Sequence, residues 1–201
     1  AAATWRWDIP HMRPWTGTAS LKGDFAKTTA ISRIEAPFHA TLNGVAEDIA
    51  RGVTWRVNGT LTPQSLQRLN PAWPEWFLSG VVEAHGKLAN YDVRTHVLTI
   101  SDDFVTQSNI DTRWHAASAR ITRAVTRSPG YAGEAHTQGD IRFSARPLQF
   151  KLNTSWKGIA WPLATQWLRS NEGHARVSGA LDNYHIQIQG DATYAEFPTV
   201  N

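Results

Sequence analysis

The chain has 201 residues, 41% hydrophobic and 18% charged, with ten tryptophans and no cysteine. Without cysteine there are no disulfides or thiolate metal sites, and no window approaches the ~18 consecutive apolar residues of a membrane-spanning helix. The net charge is +3 and Arg outnumbers Lys 15 to 5, but Arg6, Arg33, Arg56, Arg94, Arg113, Arg120, Arg142 and Arg176 are scattered over polar-face positions, which indicates a solvated face and no nucleic-acid partner.

The chain opens Ala1-Ala2-Ala3-Thr4-Trp5, already in a strand pattern, with no signal peptide and no initiator Met. It is expected to be a segment of a longer protein whose targeting or anchoring part lies outside it. Period-2 alternation then dominates, the mark of half-buried strands. Ala19, Leu21, Gly23 and Phe25 share one face. Ile34, Ala36, Phe38, Ala40, Leu42, Gly44 and Ala46 read as one continuous inner row. Trp55, Val57, Gly59 and Leu61 oppose Arg56, Asn58, Thr60 and Thr62. A short helix is expected over Pro63–Leu69. An alternating run follows from Leu78 to Leu88, turns at Ala89-Asn90, and continues inward through Tyr91, Val93, Thr95 and Val97.

The stretch from Phe104 to Thr126 is less regular, with Ile110, Thr112, Trp114 and Ala116 as one strand and Ala119 and Ile121 in a second. Ser128-Pro129-Gly130 signals a turn. Gly139, Ile141 and Phe143 resume the alternation, and Leu148, Phe150, Leu152 and Trp156 take it over after Arg146-Pro147. Pro162 to Leu168 reads as a second short helix. Ala175, Val177, Gly179 and Leu181 then turn through Asp182-Asn183 into Tyr184, Ile186 and Ile188. The pattern predicts an all-β fold, antiparallel-rich, with one or two short helices.

Two features recur. Ala72-Trp73-Pro74 returns as Ala160-Trp161-Pro162, 88 residues on. The pattern G-x-L-x-N-Y-x-[VI] at Gly86–Val93 returns at Gly179–Ile186, 93 residues on. An ordered double match marks an internal repeat, with units at about 54–97 and 156–192. Seven of the fourteen glycines also fall in phase with the apolar row: Gly23, Gly44, Gly59, Gly86, Gly139, Gly179 and Gly190. Strand glycines mark bends, bulges or close approach. Seven in phase predict a sheet that bends strongly or leaves room along one line. The plainer reading is that they admit large Trp neighbours.

No catalytic constellation stands out. There is no G-x-S-x-G, H-E-x-x-H or Gly-rich phosphate loop. The eight histidines (His11, His39, His85, His96, His115, His136, His174 and His185) are single and lack metal-ligand spacing. The chain is therefore expected to be no enzyme and to carry no cofactor or metal.

The segments Leu69-Asn70-Pro71-Ala72-Trp73-Pro74 and Trp156-Lys157-Gly158-Ile159-Ala160-Trp161-Pro162-Leu163, with the hairpins that follow them, resemble the TamB family. That family is related to the AsmA-like proteins and the wider bridge-like lipid-transfer group. The likeness covers about Thr54 to Tyr194. It implies a periplasmic segment of a protein held in the bacterial inner membrane by an N-terminal helix. It further implies an elongated, strongly curved sheet, U-shaped in cross-section and called a β-taco, with an apolar groove. The implied partners are phospholipid and an outer-membrane barrel protein of the TamA type, and the implied role is lipid movement and outer-membrane biogenesis.

The residues supply a mechanism for such a groove. Leu21, Phe25, Phe38, Leu42, Val57, Leu61, Val82, Leu88, Val93, Ile141, Phe143, Phe150, Leu152, Ile186 and Ile188 are expected to line an apolar trough. An acyl chain gains ~0.8 kcal/mol per CH₂ removed from water, on the order of 10 kcal/mol for a 16-carbon chain. Apolar contact is non-directional, so a chain slides without a large barrier at any one residue. Two other readings compete. Open edge strands would template an incoming outer-membrane strand, or the tryptophans would serve as platforms in a carbohydrate-binding β-sandwich.

Overall fold

The computed structural model describes residues 1–8, 13–145, 147–161, 168–180 and 182–194. The protein is all-β, antiparallel throughout its described pairings, and divides into two compact units, Ala1–Ser101 and Asp102–Asn201.

The first unit holds β1 (Ala2–Trp7), β2 (Trp15–Gly23), β3 (Lys27–Ala36), β4 (Ala40–Glu47), β5 (Thr54–Ser65), β6 (Phe77–Lys87) and β7 (Asn90–Ile100). Each pairs antiparallel with the next in the chain. The second unit holds β8 (Val105–His115), β9 (Ser118–Arg127), β10 (Glu134–Arg142), β11 (Gln149–Trp161), β12 (Leu168–Ala180), β13 (Asn183–Gly190) and β14 (Thr193–Tyr194). Here too each strand from β8 to β13 pairs with its successor, while β14 pairs with β12. Such meanders follow from alternating sequence broken by short turns.

Among the described residues helix is nearly absent: α1 (Ile49–Gly52) and one 3₁₀ turn at Leu66–Arg68. The helix expected over Pro63–Leu69 is only a single 3₁₀ turn at Leu66–Arg68, and Pro63 to Ser65 are strand. β5 runs on to Ser65, with Pro63 inside an irregularity between Leu61 and Gln64. A bulge is where a strand tolerates proline. The Gln64 amide fixes the extension: its Oε1 accepts from His39 N at 2.6 Å and its Nε2 donates to His39 O at 2.7 Å. The side chain thus satisfies both backbone groups of His39, and Gln64 is buried. Of the second expected helix, Pro162 to Leu168, only Leu168 is among the described residues, and it opens β12.

The row expected from Ile34 to Ala46 is two strands. Pro37, with no N–H for the ladder, breaks it at a corner. Phe38 turns inward there, 6% exposed, with its ring edge-on to Trp15 at 6.2 Å. The irregular stretch before Thr126 is a hairpin, β8–β9, turned at Ala116-Ala117. The expected turn at Ser128-Pro129-Gly130 is closed by Tyr131 N donating to Ser128 O at 3.1 Å. Gly130 supplies φ +84°, as a proline-glycine turn needs.

Candidate functional site, an apolar sheet face

Residues paired across an antiparallel ladder share a face. In the first unit one row runs Trp5, Gly17, Ile34, Ala40, Leu61, Gly80, Val97. The next runs Ala3, Ala19, Ser32, Leu42, Gly59, Val82, Thr95, and the third Leu21, Ala30, Gly44, Val57, Ala84, Val93. The fourth is Gly23, Thr28, Ala46, Trp55, Gly86, Tyr91. Almost every position is apolar or glycine. The alternate face carries Lys22, Arg33, Arg56, Glu83, Lys87 and Arg94.

The second unit repeats the arrangement. Its rows are Trp114, Ala119, Ile141, Phe150, Gly179, Tyr184 and Thr112, Ile121, Gly139, Leu152, Val177, Ile186. Two more follow: Ile110, Ala124, Thr137, Thr154, Ala175, Ile188 and Ser108, Thr126, Ala135, Trp156, Gly173, Gly190. The opposite face is polar and cross-linked. Arg120 Nε donates to Asp140 at 2.7 Å, Arg127 pairs with Glu134 at 2.6 Å, and Arg176 Nε donates to Asn153 at 3.1 Å. His136 lies 2.9 Å from the second oxygen of Glu134. The hydrogen bond from His136, reinforced by Arg127, holds the Glu134 carboxyl below its ordinary range.

Of the fifteen trough residues, Leu21, Leu42, Val57, Leu61, Val82 and Val93 fall in the first unit's rows. Ile141, Phe150, Leu152, Ile186 and Ile188 fall in the second's. Phe143, just past β10, stacks on Trp114 at 5.1 Å. The other three stand off the rows. Phe25 is in the β2–β3 turn, 77% exposed, and Leu88 is in the β6–β7 turn, 68% exposed. Phe38 is buried at the β3–β4 corner. Alternation carried through a turn misplaces its last residue, because the chain leaves the pleat there.

The apolar rows are only half covered. Among the described residues the buried apolar side chains are Phe38, Leu69, Ala119, Ala124 and Val125, and none of these is a large residue at the centre of a row. Within each unit, substantial strand contacts follow the pairing order alone.

The in-phase glycines have a local cause. Trp55 and Tyr91 sit on β5 and β7, two strands or about 9.6 Å apart. Their rings nonetheless meet at 5.2 Å, and Gly86 lies between them in the same row. A Cβ at Gly86 would collide with Tyr91 Cβ and Asn90 O. Phe150 and Tyr184 meet across Gly179 in the same way, at 6.4 Å. Trp5 crosses Gly17 to donate from Nε1 to Ser32 Oγ at 3.3 Å, and a Cβ on Gly17 would strike the indole at 2.6 Å. The indole of Trp156 covers Gly173 likewise. Gly17, Gly86, Gly173 and Gly179 are thus gaps that large neighbours close, as the plainer of the two expectations has it, whereas Gly139 sits at a register shift in the β9–β10 ladder, as the other has it. The G-x-L-x-N-Y repeat is this device twice, one copy in each unit.

Sequence reasoning missed a cavity of about 530 Å³ in the second unit, between the β9–β10 loop and the ends of β11 and β12. Gly133 of the loop abuts the Gly158 backbone, so closely that a Cβ there would overlap Gly158 O. The available signal was Gly158, a strand glycine outside the in-phase set. At the cavity edge Trp156 Nε1 donates to Ser170 Oγ at 2.8 Å, and Ser170 Oγ lies 3.1 Å from Asp191 Oδ1. The Glu172 N–H, with Asn171 and Ser170 adding, lowers the Asp191 carboxyl from its ordinary range.

Among the described residues no three His, Asp or Glu gather as a metal site, and no helix is long and apolar enough to cross a membrane. No family model, curated protein or solved structure matches the chain.

Proposed function

We propose that the apolar face of each unit is a lipid-carrying surface, in a periplasmic segment of a protein that moves phospholipid between bacterial membranes. One observation carries this reading: in both units every row of one face is dominated by apolar or small residues, and among the described residues none of the large side chains in those rows is buried. Acyl chains lie along the rows, and headgroups stay in water. The likeness of the Trp-Pro segments and hairpins to the TamB family points the same way, and with it to an inner-membrane anchor and a TamA-type barrel partner. Native mass spectrometry of the purified chain, with lipid extraction, tests the proposal. Phospholipid is expected at defined stoichiometry and is lost in the folded double variant Leu61→Asp, Leu152→Asp. Unchanged lipid retention in that variant would sink the reading.

A second reading rests on β13. All eight of its residues are exposed, and it pairs with β12 alone among the described strands. Such an edge accepts an added strand. Crosslinks from β13 backbone neighbours to an outer-membrane client, with no lipid on the faces, would favour assembly over transport.

A further inference from the structure

We propose that the cavity in the second unit binds a single-chain amphiphile with a monoanionic head, a long-chain fatty acid, and that Arg169 receives its carboxylate. This goes beyond the open-face reading and concerns a different part of the unit.

The cavity volume, about 530 Å³, lies within the usual range for small-molecule sites. Tyr131, Ala132, Ala135, Ile159 and Ala160 give it apolar walls. Four polar side chains in the wall are turned to other protein groups. Thr126 shares a hydrogen bond with Ser108 at 2.8 Å, and Ser128 Oγ donates to Val105 O at 2.5 Å. Ser170 is held by Trp156 and Asp191, and Asn171 Nδ2 donates to Asp191 at 2.8 Å. A satisfied hydroxyl offers a ligand little beyond its carbon surface, so the interior reads as apolar despite its composition.

The charges at the mouth select the head. Glu134 is neutralised by its ion pair with Arg127 and also accepts a hydrogen bond from His136. Arg169 lines the cavity and makes no side-chain hydrogen bond or ion pair among the described residues. One uncommitted guanidinium beside a neutralised carboxylate suits a monoanion. Its planar fork matches a carboxylate in bidentate fashion. Ala135 belongs to the last row of the apolar face, so the cavity adjoins the margin of that face.

Competition against a dansylated undecanoic acid probe on the full chain tests the assignment, with palmitate and hexadecanol as competitors. Wild type is expected to bind one palmitate and to prefer it to the alcohol. Arg169→Gln, an exposed change, weakens palmitate about ten- to hundredfold, the loss of one charge-assisted pair, and leaves hexadecanol unchanged. Ala135→Phe fills the space and removes both. Equal palmitate affinity in wild type and Arg169→Gln, or no probe binding to wild type, would overturn the proposal. One palmitate retained in the Leu61→Asp, Leu152→Asp variant supports it, whatever becomes of phospholipid on the open face.

Discussion

At the scale of single residues, the glycines carry more of the design than their size suggests. Gly86 keeps the path open between Trp55 and Tyr91, and its own Cβ would run into the Asn90 backbone. Gly86→Val is therefore expected to cost roughly 1–3 kcal/mol, read as a lower urea midpoint together with altered Trp fluorescence. The same substitution at Thr60, on the polar face, should be nearly silent. Glu134 gives a pH dependence of defined sign. Its folded carboxyl titrates below the ordinary value of 4.5. On acidification the unfolded chain therefore takes up this proton first. The contribution is full above the ordinary value and is lost as pH falls through the lowered folded one. Glu134→Gln should flatten the acid limb of stability against pH. Because the group is solvent-accessible, the effect should shrink in high salt.

Turns are where the elements depart from simple alternation. Leu88 opens the β6–β7 turn with φ 48° and a side chain mostly in water. A left-handed conformation costs a non-glycine residue about 1–2 kcal/mol. Leu88→Gly is thus expected to raise stability by about 1 kcal/mol, seen as a higher urea midpoint with an unchanged slope. Ala116, at φ 49° in the β8–β9 turn, should respond alike. These turns also explain what was legible in the sequence. Inner rows such as Val57-Gly59-Leu61 and Val82-Ala84-Gly86 follow from period 2 alone. The turn from β6 to β7, expected at Ala89-Asn90, lies one residue earlier, at Leu88-Ala89, because Lys87 pairs with Asn90. Phe38 and Gln64 were opaque, because a proline corner and a side chain bonding His39 across the chain are tertiary facts. The cavity was opaque for a similar reason: its polar walls look hydrophilic in sequence and become apolar only when Thr126, Ser128 and Ser170 find their partners.

For the whole molecule the central contrast is between a sparse interior and a broad apolar face. Phe38 is enclosed, so Phe38→Ala should cost about 3–5 kcal/mol. Leu61, central in its row but half exposed, should cost much less, about 1–2 kcal/mol for the part of its surface that is covered. Paired denaturation curves decide this. If Leu61→Ala costs as much as Phe38→Ala, something covers the face in solution, and the lipid-carrying proposal loses its main support. The all-β architecture was readable from alternation and spacing. The use of the face was not, because an uncovered row and the inner row of a sandwich have the same sequence pattern.

The order of the strands within a unit has a kinetic consequence. Because each of β1–β6 pairs with its immediate successor, the pairing within this unit is local in sequence, which keeps contact order low for a sheet. A sheet of this kind adds one hairpin at a time and does not wait for a distant strand, much as stacked repeats propagate from neighbour to neighbour. A chain emerging N-terminus first already has a partner for each new strand, so the edge left exposed at any moment is a single strand wide.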